Sequence, residues 1–211
     1  MAAMKRMAVL PVLSNDQTPQ ATTTIKIMVN AGAVLEILWG DNTTTTVVCN
    51  GVLNTYTHDY AATGTYSISI RGNYKAITQW QSNGQAFLSG DIAALAPLTS
   101  LTYLRLNSTS VDGDIAALAP LTSLTSLRLY STSVDTYTTP TALPPWAGND
   151  IQVQDLGLDQ TEVNGFLNDL ADGVGAGGSL DIAGTNAARS AASDVAKAAL
   201  ITAGWGVTVN E

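Results

Sequence analysis

The chain has 211 residues, 45% of them apolar and only 12% charged, with a formal net charge of −8 at pH 7. That composition excludes disorder as the default state and supplies enough apolar mass for one sizeable core or two small ones. The charge is uneven: residues 1–75 hold five Lys or Arg against four Asp or Glu, and residues 76–211 hold four against thirteen. Such a balance repels a phosphate backbone and argues against nucleic acid as a partner.

Residues 1–22 show no period and contain the polar tract SNDQTPQATTT. They read as an arm. Lys5 and Arg6 precede an apolar run, but Pro11 breaks it and no small-residue cleavage site follows, so an export signal is not expected here. No segment approaches the roughly 20 apolar residues of a membrane span.

From Thr24 the pattern alternates. Ile25, Ile27 and Val29 share one face of a strand, and Tyr66, Ile68 and Ile70 share one face of another, opposite Ser67, Ser69 and Arg71. Between them lie short apolar runs parted by Gly and Asn turns, which predicts a small antiparallel sandwich over 23–75. Trp39–Asn42 reads WGDN, and His58–Ile70 reads HDYAATGTYSISI. These stretches resemble the PKD-type immunoglobulin-like domain, with the departure that Asn42 stands where the family usually has glycine. Asparagine also tolerates the left-handed turn conformation.

From about Ala76 the period becomes 23. Residues 90–112 and 113–135 agree at 21 of 23 positions, differing only where Ser126 replaces Tyr103 and Tyr130 replaces Asn107. Each copy carries an L-x-x-L-x-L-x-x-T-x-V pattern: Leu101, Leu104, Leu106, Thr109 and Val111, then Leu124, Leu127, Leu129, Thr132 and Val134. This resembles the leucine-rich repeat, in the variant with a G-x-I turn. Residues 76–89 read as its N-terminal cap and 136–211 as divergent C-terminal repeats. In those, Val153, Leu156, Leu158, Thr161 and Val163 form one rung, Leu180, Ile182, Thr185 and Ala187 another, and Val207 with Val209 a last strand. The threonine column is expected to satisfy turn backbone groups. The insertion Thr139–Gly148, with its prolines and Trp146, reads as a packed loop. Helical spacing marks Val163, Phe166, Leu167 and Leu170, and again Ala188, Ala192, Val195 and Ala199. The expected fold is therefore multidomain and β-rich: a PKD/Ig-like sandwich, then a short leucine-rich-repeat solenoid with helical crossovers near the C-terminus.

Motifs for chemistry are sparse. Gly173–Gly178 spells G-x-G-x-x-G, but a helix precedes it and a strand follows, the reverse of a dinucleotide fingerprint. One cysteine, Cys49, permits no internal disulfide and no thiolate zinc site, and reads as a small buried apolar residue. One histidine, His58, permits no His pair; the PKD resemblance makes it structural, beside Tyr60. Asp41 and Asp59 could meet a cation, although an Asp after Gly in a turn more often binds its own backbone. No enzyme, cofactor or metal is expected.

The strongest constellation is the outward strand face of the repeats. Three columns are expected: Tyr103, Ser126, Asp155 and Ser179; Arg105, Arg128, Gly157 and Asp181; Asn107, Tyr130, Asp159 and Ala183. The binding residues singled out are Tyr103, Arg105, Asn107, Ser126, Arg128, Tyr130, Asp155 and Asp159, because Tyr and Arg are frequent interface anchors. Both letters that differ between the copies lie in these columns, which fits either drift at exposed positions after duplication or tuning of a binding face.

PKD-like modules joined to leucine-rich repeats resemble parts of bacteriophage virions and of bacterial surface proteins. The resemblance implies a non-enzymatic structural and recognition protein, multi-copy and anchored in a larger assembly by its arm and sandwich. It would display a protein- or glycan-binding solenoid as a capsid decoration, head fibre or tail part on the virion surface. The alternatives are a bacterial cell-surface adhesin and an intracellular protein-binding module.

Overall fold

The computed structural model describes residues 9–17, 22–140, 150–173 and 177–211. The N-terminal half holds β1 (Val9–Gln17), β2 (Thr23–Val29), β3 (Leu35–Leu38), β4 (Thr44–Thr46), β5 (Leu53–His58) and β6 (Gly64–Gly72). The following half holds β7 (Ile77–Gln81), β8 (Leu88–Asp91), β9 (Tyr103–Arg105), β10 (Ser110–Asp114), β11 (Ser126–Arg128), β12 (Ser133–Thr136) and β13 (Asp150–Gln152). The chain closes with helix α1 (Gln160–Asp172), β14 (Gly178–Asp181), helix α2 (Asp194–Thr202) and β15 (Trp205–Thr208).

These strands form two mixed sheets, and both run through the two halves without a break. One has seven strands in the order β12-β10-β8-β1-β6-β3-β4, and the other eight in the order β15-β14-β13-β11-β9-β7-β2-β5. Pairing among β1 to β6 is antiparallel, and from β9 onward it is parallel. The composition shift near Ala76 therefore marks a change of pairing direction inside continuous sheets. The apolar residues of both halves belong to one core, running from Val12, Ile25 and Trp39 to Leu180, Leu200 and Trp205. Past β12, helices take over the layer opposite the eight-stranded sheet: Phe166 of α1 meets Tyr137 edge-on at 4.9 Å, and Leu200 of α2 is fully buried. None of the described helices is long and apolar enough to cross a membrane.

The arm expected over 1–22 needs correction. Residues 9–17 are a strand in the middle of the seven-stranded sheet, paired antiparallel with β6 on one side and β8 on the other, and Val12 and Leu13 are buried. A register shift between Pro11 and Leu13 explains why the alternation is invisible in the sequence. Such a bulge accommodates a proline and turns two successive side chains inward. The rest of the expected arm, residues 1–8 and 18–21, lies outside the described residues, as does 141–149 of the expected packed loop.

The 23-residue period is one turn of the coil. Ser126, Leu127 and Arg128 pair with Tyr103, Leu104 and Arg105 in parallel register, so each repeat places its middle leucine directly above that of its neighbour. The connection is built the same way twice. Asp91 and Asp114 accept hydrogen bonds from the amides of Ala93 and Ala116, each at 2.8 Å, and so cap short 3-10 turns that bury Ile92 with Leu95 and Ile115 with Leu118. Thr109 and Thr132 donate to the carbonyls of Leu106 and Leu129 at 2.6 and 2.7 Å, the role expected of that column. A second threonine ladder was not anticipated: Thr102 and Thr125 each donate through both amide and hydroxyl, to the carbonyls of Thr78 and Thr102.

The divergent repeats depart from expectation in three places. The third rung aligns Ile151, not Leu156, with Leu127, and Val153, Leu156 and Leu158 are buried beyond it. Thr161 and Thr185 are exposed and leave the threonine column. Beside Thr185, the buried Asn186 accepts from the amides of Leu156 and Leu158, both at 3.1 Å, and donates to the carbonyls of Val153 and Ile182 at 2.9 and 3.0 Å. In α2 the buried face is Ala196 with Leu200, while Val195 and Ala199 face solvent, as does Ala192 in the short 3-10 turn before the helix, because burying one leucine outweighs burying several alanine methyls.

Two outcomes follow from this packing. Leu104→Ala and Leu127→Ala should each lower stability by about 2 to 5 kcal/mol in urea melts, since both leucines lie in the shared core and leave cavities. Removing residues 1–17 should abolish the single cooperative transition. A truncated chain that still melts in one step at the parent midpoint would show β1 to be dispensable.

Candidate functional site

The outward face of the eight-stranded sheet is where the sequence placed a binding surface, and register decides what it carries. Across the strands, one column runs Met28, Gln79, Tyr103, Ser126, Asp150, Ser179 and Gly206. The next runs Lys26, Gln81, Arg105, Arg128, Gln152, Asp181 and Thr208. Past the strand ends the register persists. The amide of Ser108 donates to the carbonyl of Tyr130 and that of Asp155 to Ala183, which sets Gln154 in the third column beside Tyr130.

Of the eight residues expected on this face, Tyr103, Arg105, Arg128 and Tyr130 are there and half-buried. Asn107 and Ser126 are on the face but only 5% and 7% exposed, so they support it more than they present it. Asp155 and Asp159 are elsewhere. Asp155 sits in a left-handed turn (φ 58) and accepts from the amide of Thr185 at 3.0 Å. Asp159 is the N-cap of α1: its carboxylate accepts from the Glu162 amide at 2.8 Å, and the Glu162 carboxylate accepts from the Asp159 amide at 2.8 Å. Asp150 and Gln152 take the positions expected for Asp155 and Gly157, and Gln154 that expected for Asp159. Lys26, Gln79 and Gln81 extend the face onto the N-terminal half. The signal for Gln79 and Gln81 was present, since Trp80 takes the leucine position between them.

The two arginines, equivalent in the repeat, are held differently. Arg105 donates from Nε to Asn107 Oδ1 at 2.9 Å, which restrains the guanidinium plane. Arg128 reaches across to the neighbouring strand and donates from Nη2 to Asp150 Oδ2 at 2.8 Å. Asp150 also accepts from Ser179 Oγ at 3.0 Å and from Gln152 Nε2 at 3.3 Å. The hydrogen bond to Asp150 raises the Arg128 pKa against the opposing effect of burial, and the Tyr103 and Tyr130 phenols beside it add to the rise. At Asp150 burial alone would raise the pKa, but the hydrogen bonds from Arg128 and Ser179 and the arginine charge outweigh it and hold the carboxyl below its ordinary value. Ser126 Oγ, Arg128 Nε and Gln154 Oε1 are buried with no hydrogen-bond partner among the described residues. Beside them, Asp150, Gln152, Ser179, Asp181, Gly206 and Thr208 line a shallow groove of about 420 Å³, opened by the small side chains of β14 and β15.

The other candidate groups have structural partners. His58 stacks on Trp39 at 4.9 Å, meets Tyr60 edge-on at 4.5 Å, and bonds Asp41 Oδ2 through Nε2 at 2.8 Å. The other oxygen of Asp41 accepts from the Thr43 amide and hydroxyl at 3.0 and 2.6 Å, and Asp59 accepts from Thr22 Oγ1 at 2.6 Å. The two aspartates are thus engaged separately. Asn42 adopts the left-handed conformation (φ 70). Gly173 caps α1 and Gly178 opens β14; a Cβ on Gly178 would lie 2.7 Å from the Trp205 ring. Cys49 is half-buried and its thiol pKa is raised by burial.

Because the Arg128–Asp150 pair is about a third exposed, Asp150→Asn should cost only about 0 to 1 kcal/mol at pH 7. A carboxyl with a depressed folded pKa stabilises above its unfolded pKa of about 3.9 and loses that contribution as pH falls through the folded value. The gap between wild type and Asp150→Asn should therefore close below about pH 4 in melts across a pH series; a gap that widens on acidification would contradict the pairing. No protein-family model and no curated protein matches the chain.

Proposed function

We propose that this chain is a non-enzymatic structural and recognition protein, a component of a bacteriophage virion surface that displays the outer face of its eight-stranded sheet. The observation that carries the reading is the continuity of that face. It crosses both halves of the molecule, rests on one undivided core, and carries Tyr103, Arg105 and Arg128 on short strands, with Tyr130 just past the end of β11, in a register fixed by the parallel ladder. A rigid surface of this kind loses little entropy when a partner settles on it. Eight strands at about 4.8 Å spacing span roughly 34 Å, enough for one standard interface.

The resemblance of WGDN and HDYAATGTYSISI to PKD-type domains, and of the 23-residue copies to leucine-rich repeats, supports a display module within a larger assembly. With β1 folded into the sheet, attachment falls to the N-terminal half as a whole. There Val34, Val48 and Val52 are 61%, 53% and 57% exposed.

The test is fractionation. The polypeptide should co-sediment with purified particles at fixed stoichiometry and be surface-accessible on them. Recovery in the bacterial envelope without particles would favour an adhesin instead, and recovery free in the cytosol an intracellular binding module.

A further inference from the structure

We propose that the C-terminal end of the stack is a self-association surface, on which two copies of this chain pair their β15 strands antiparallel about a twofold axis and merge their eight-stranded sheets into one. This goes beyond the display reading and does not depend on it. A stacked repeat needs a neighbour or a polar cap to cover its apolar layer. The first turn has one, since Trp80 of the preceding strand lies beside Leu104. The last turn has none among the described residues. β15 ends its sheet, and Val207, which follows Leu104, Leu127, Ile151 and Leu180 in the core-facing column, is only half-buried, as is Val209. In the same turn α2 exposes Val195 and Ile201 at 84% and 53%.

The backbone of this end is a second, independent observation. The Ile182 amide donates to the Thr208 carbonyl at 2.9 Å and the Arg189 amide to that of Asn210 at 3.0 Å, so Thr208 and Asn210 turn towards the stack. Strand alternation then turns the amides and carbonyls of Val207 and Val209 to the open side, where no described strand pairs with them. The other sheet edges are blunted in ways that discourage pairing. β4 is three residues long, β12 carries the exposed Asp135, and the loop before β5 is tied back over it by Asn54 and Tyr56, which bond the carbonyl and amide of Val48. β15, reading WGVT, has no charge and no proline, and its register with β14 is unbroken.

Charge selects a second copy as the occupant. A chain of net charge −8 repels its own copies except where the contact is neutral. Residues 76–211 hold four basic against thirteen acidic side chains, but residues 189–211 hold two of each, and these are paired among themselves: Arg189 with Asp194 and Glu211, and Lys197 with Glu211. This end therefore attracts no charged partner, while an edge that carries both donors and acceptors is complementary to itself when antiparallel. A twofold axis at Val207 sets its amide and carbonyl against the same groups of the second copy and places both α2 helices in one layer. Ile201 lies one helical turn from Lys197, which reaches Glu211 just beyond β15, so it is on the flank of α2 nearest that strand. The end is about 20 Å thick, sheet plus helix, and its seven residues of extended chain span about 23 Å. Roughly 500 Å² is buried per copy, the lower limit of a specific interface, which sets a dissociation constant on the order of 10 µM.

The experiment is sedimentation velocity of the full chain from about 1 to 200 µM, a range that brackets that constant, with hydrogen exchange read over 205–209. The chain should pass from monomer to dimer and stop there, and association should tighten as salt screens the acidic bodies. Exchange at 205–209 should slow as concentration rises. Ile201→Lys, which brings like charges together in the dimer, should weaken it about tenfold or more with an unchanged melting midpoint. A chain that stays monomeric throughout overturns the proposal, and so does a dimer whose 205–209 amides exchange at the monomer rate. Growth beyond two copies shows head-to-tail contact and overturns the twofold pairing. Protection of those amides only in chains bound to particles gives the edge to a different protein and overturns self-association. Each of these outcomes is separate from whether the chain co-sediments with particles, which tests the display reading alone.

Discussion

The pairing of β1 between β6 and β8 is the contact on which the rest of the molecule depends. An antiparallel sandwich and a parallel coil each end in open strand edges, and open edges invite pairing with other chains. β1 closes the edge of β6 with eight residue pairs and the edge of β8 with two, while β7 joins β2 to β9 in the opposite sheet. The join is also stitched by side chains: Gln85, 8% exposed, accepts from the Thr24 amide at 2.7 Å and donates to the Thr24 carbonyl at 2.6 Å. A stacked repeat cannot bury its leucines unless a neighbour covers them. Here the first turn is covered by the antiparallel half, with Trp80 directly beside Leu104.

From that join follows the rigidity of the outer face. On this face β9, β11, β13, β14 and β15 each contribute only three or four residues, too few to hold a surface by themselves. Their positions are set by the buried residue beneath each one, Leu104, Leu127, Ile151 and Leu180 in turn, and by threonine and asparagine side chains that absorb backbone groups at the turns. Side chains on the face inherit that order. The Arg128–Asp150 pair spans two strands, so its geometry depends on the register of the stack more than on its own modest electrostatic gain.

What the sequence showed clearly was whatever repeats or alternates. The identical copies placed Leu104 over Leu127 and Arg105 beside Arg128 without ambiguity, and Leu180 and Val207 could be added because an apolar pair two apart stands alone in each segment. The third rung was misread because two such pairs compete, Ile151 with Val153 and Leu156 with Leu158, and the second fits the repeat template better. Asn186 was missed because its turn is one residue longer than those ending at Thr109 and Thr132. β1 was hidden by its bulge. Asp150 could be placed only through the pairing of β13 with β11, so the partner that distinguishes Arg128 from Arg105 was not legible either.

The two substitutions between the copies gain meaning from those contacts. Drift would be unremarkable at exposed positions, where changes cost little. Yet Asn107 and Ser126 are 5% and 7% exposed, and each adjoins the arginine of its own repeat. A tyrosine at 107, as the second copy has at 130, would remove the acceptor that fixes Arg105. A tyrosine at 126, as the first copy has at 103, would put a ring between Arg128 and the carboxylate of Asp150. The duplication made two equivalent arginines, and these two changes make them unequal: one is paired with Asp150 on the next strand, and the other is held by Asn107 with no carboxylate partner among the described residues. Unequal arginines on equivalent strands are what a surface needs if one is to support and the other to contact.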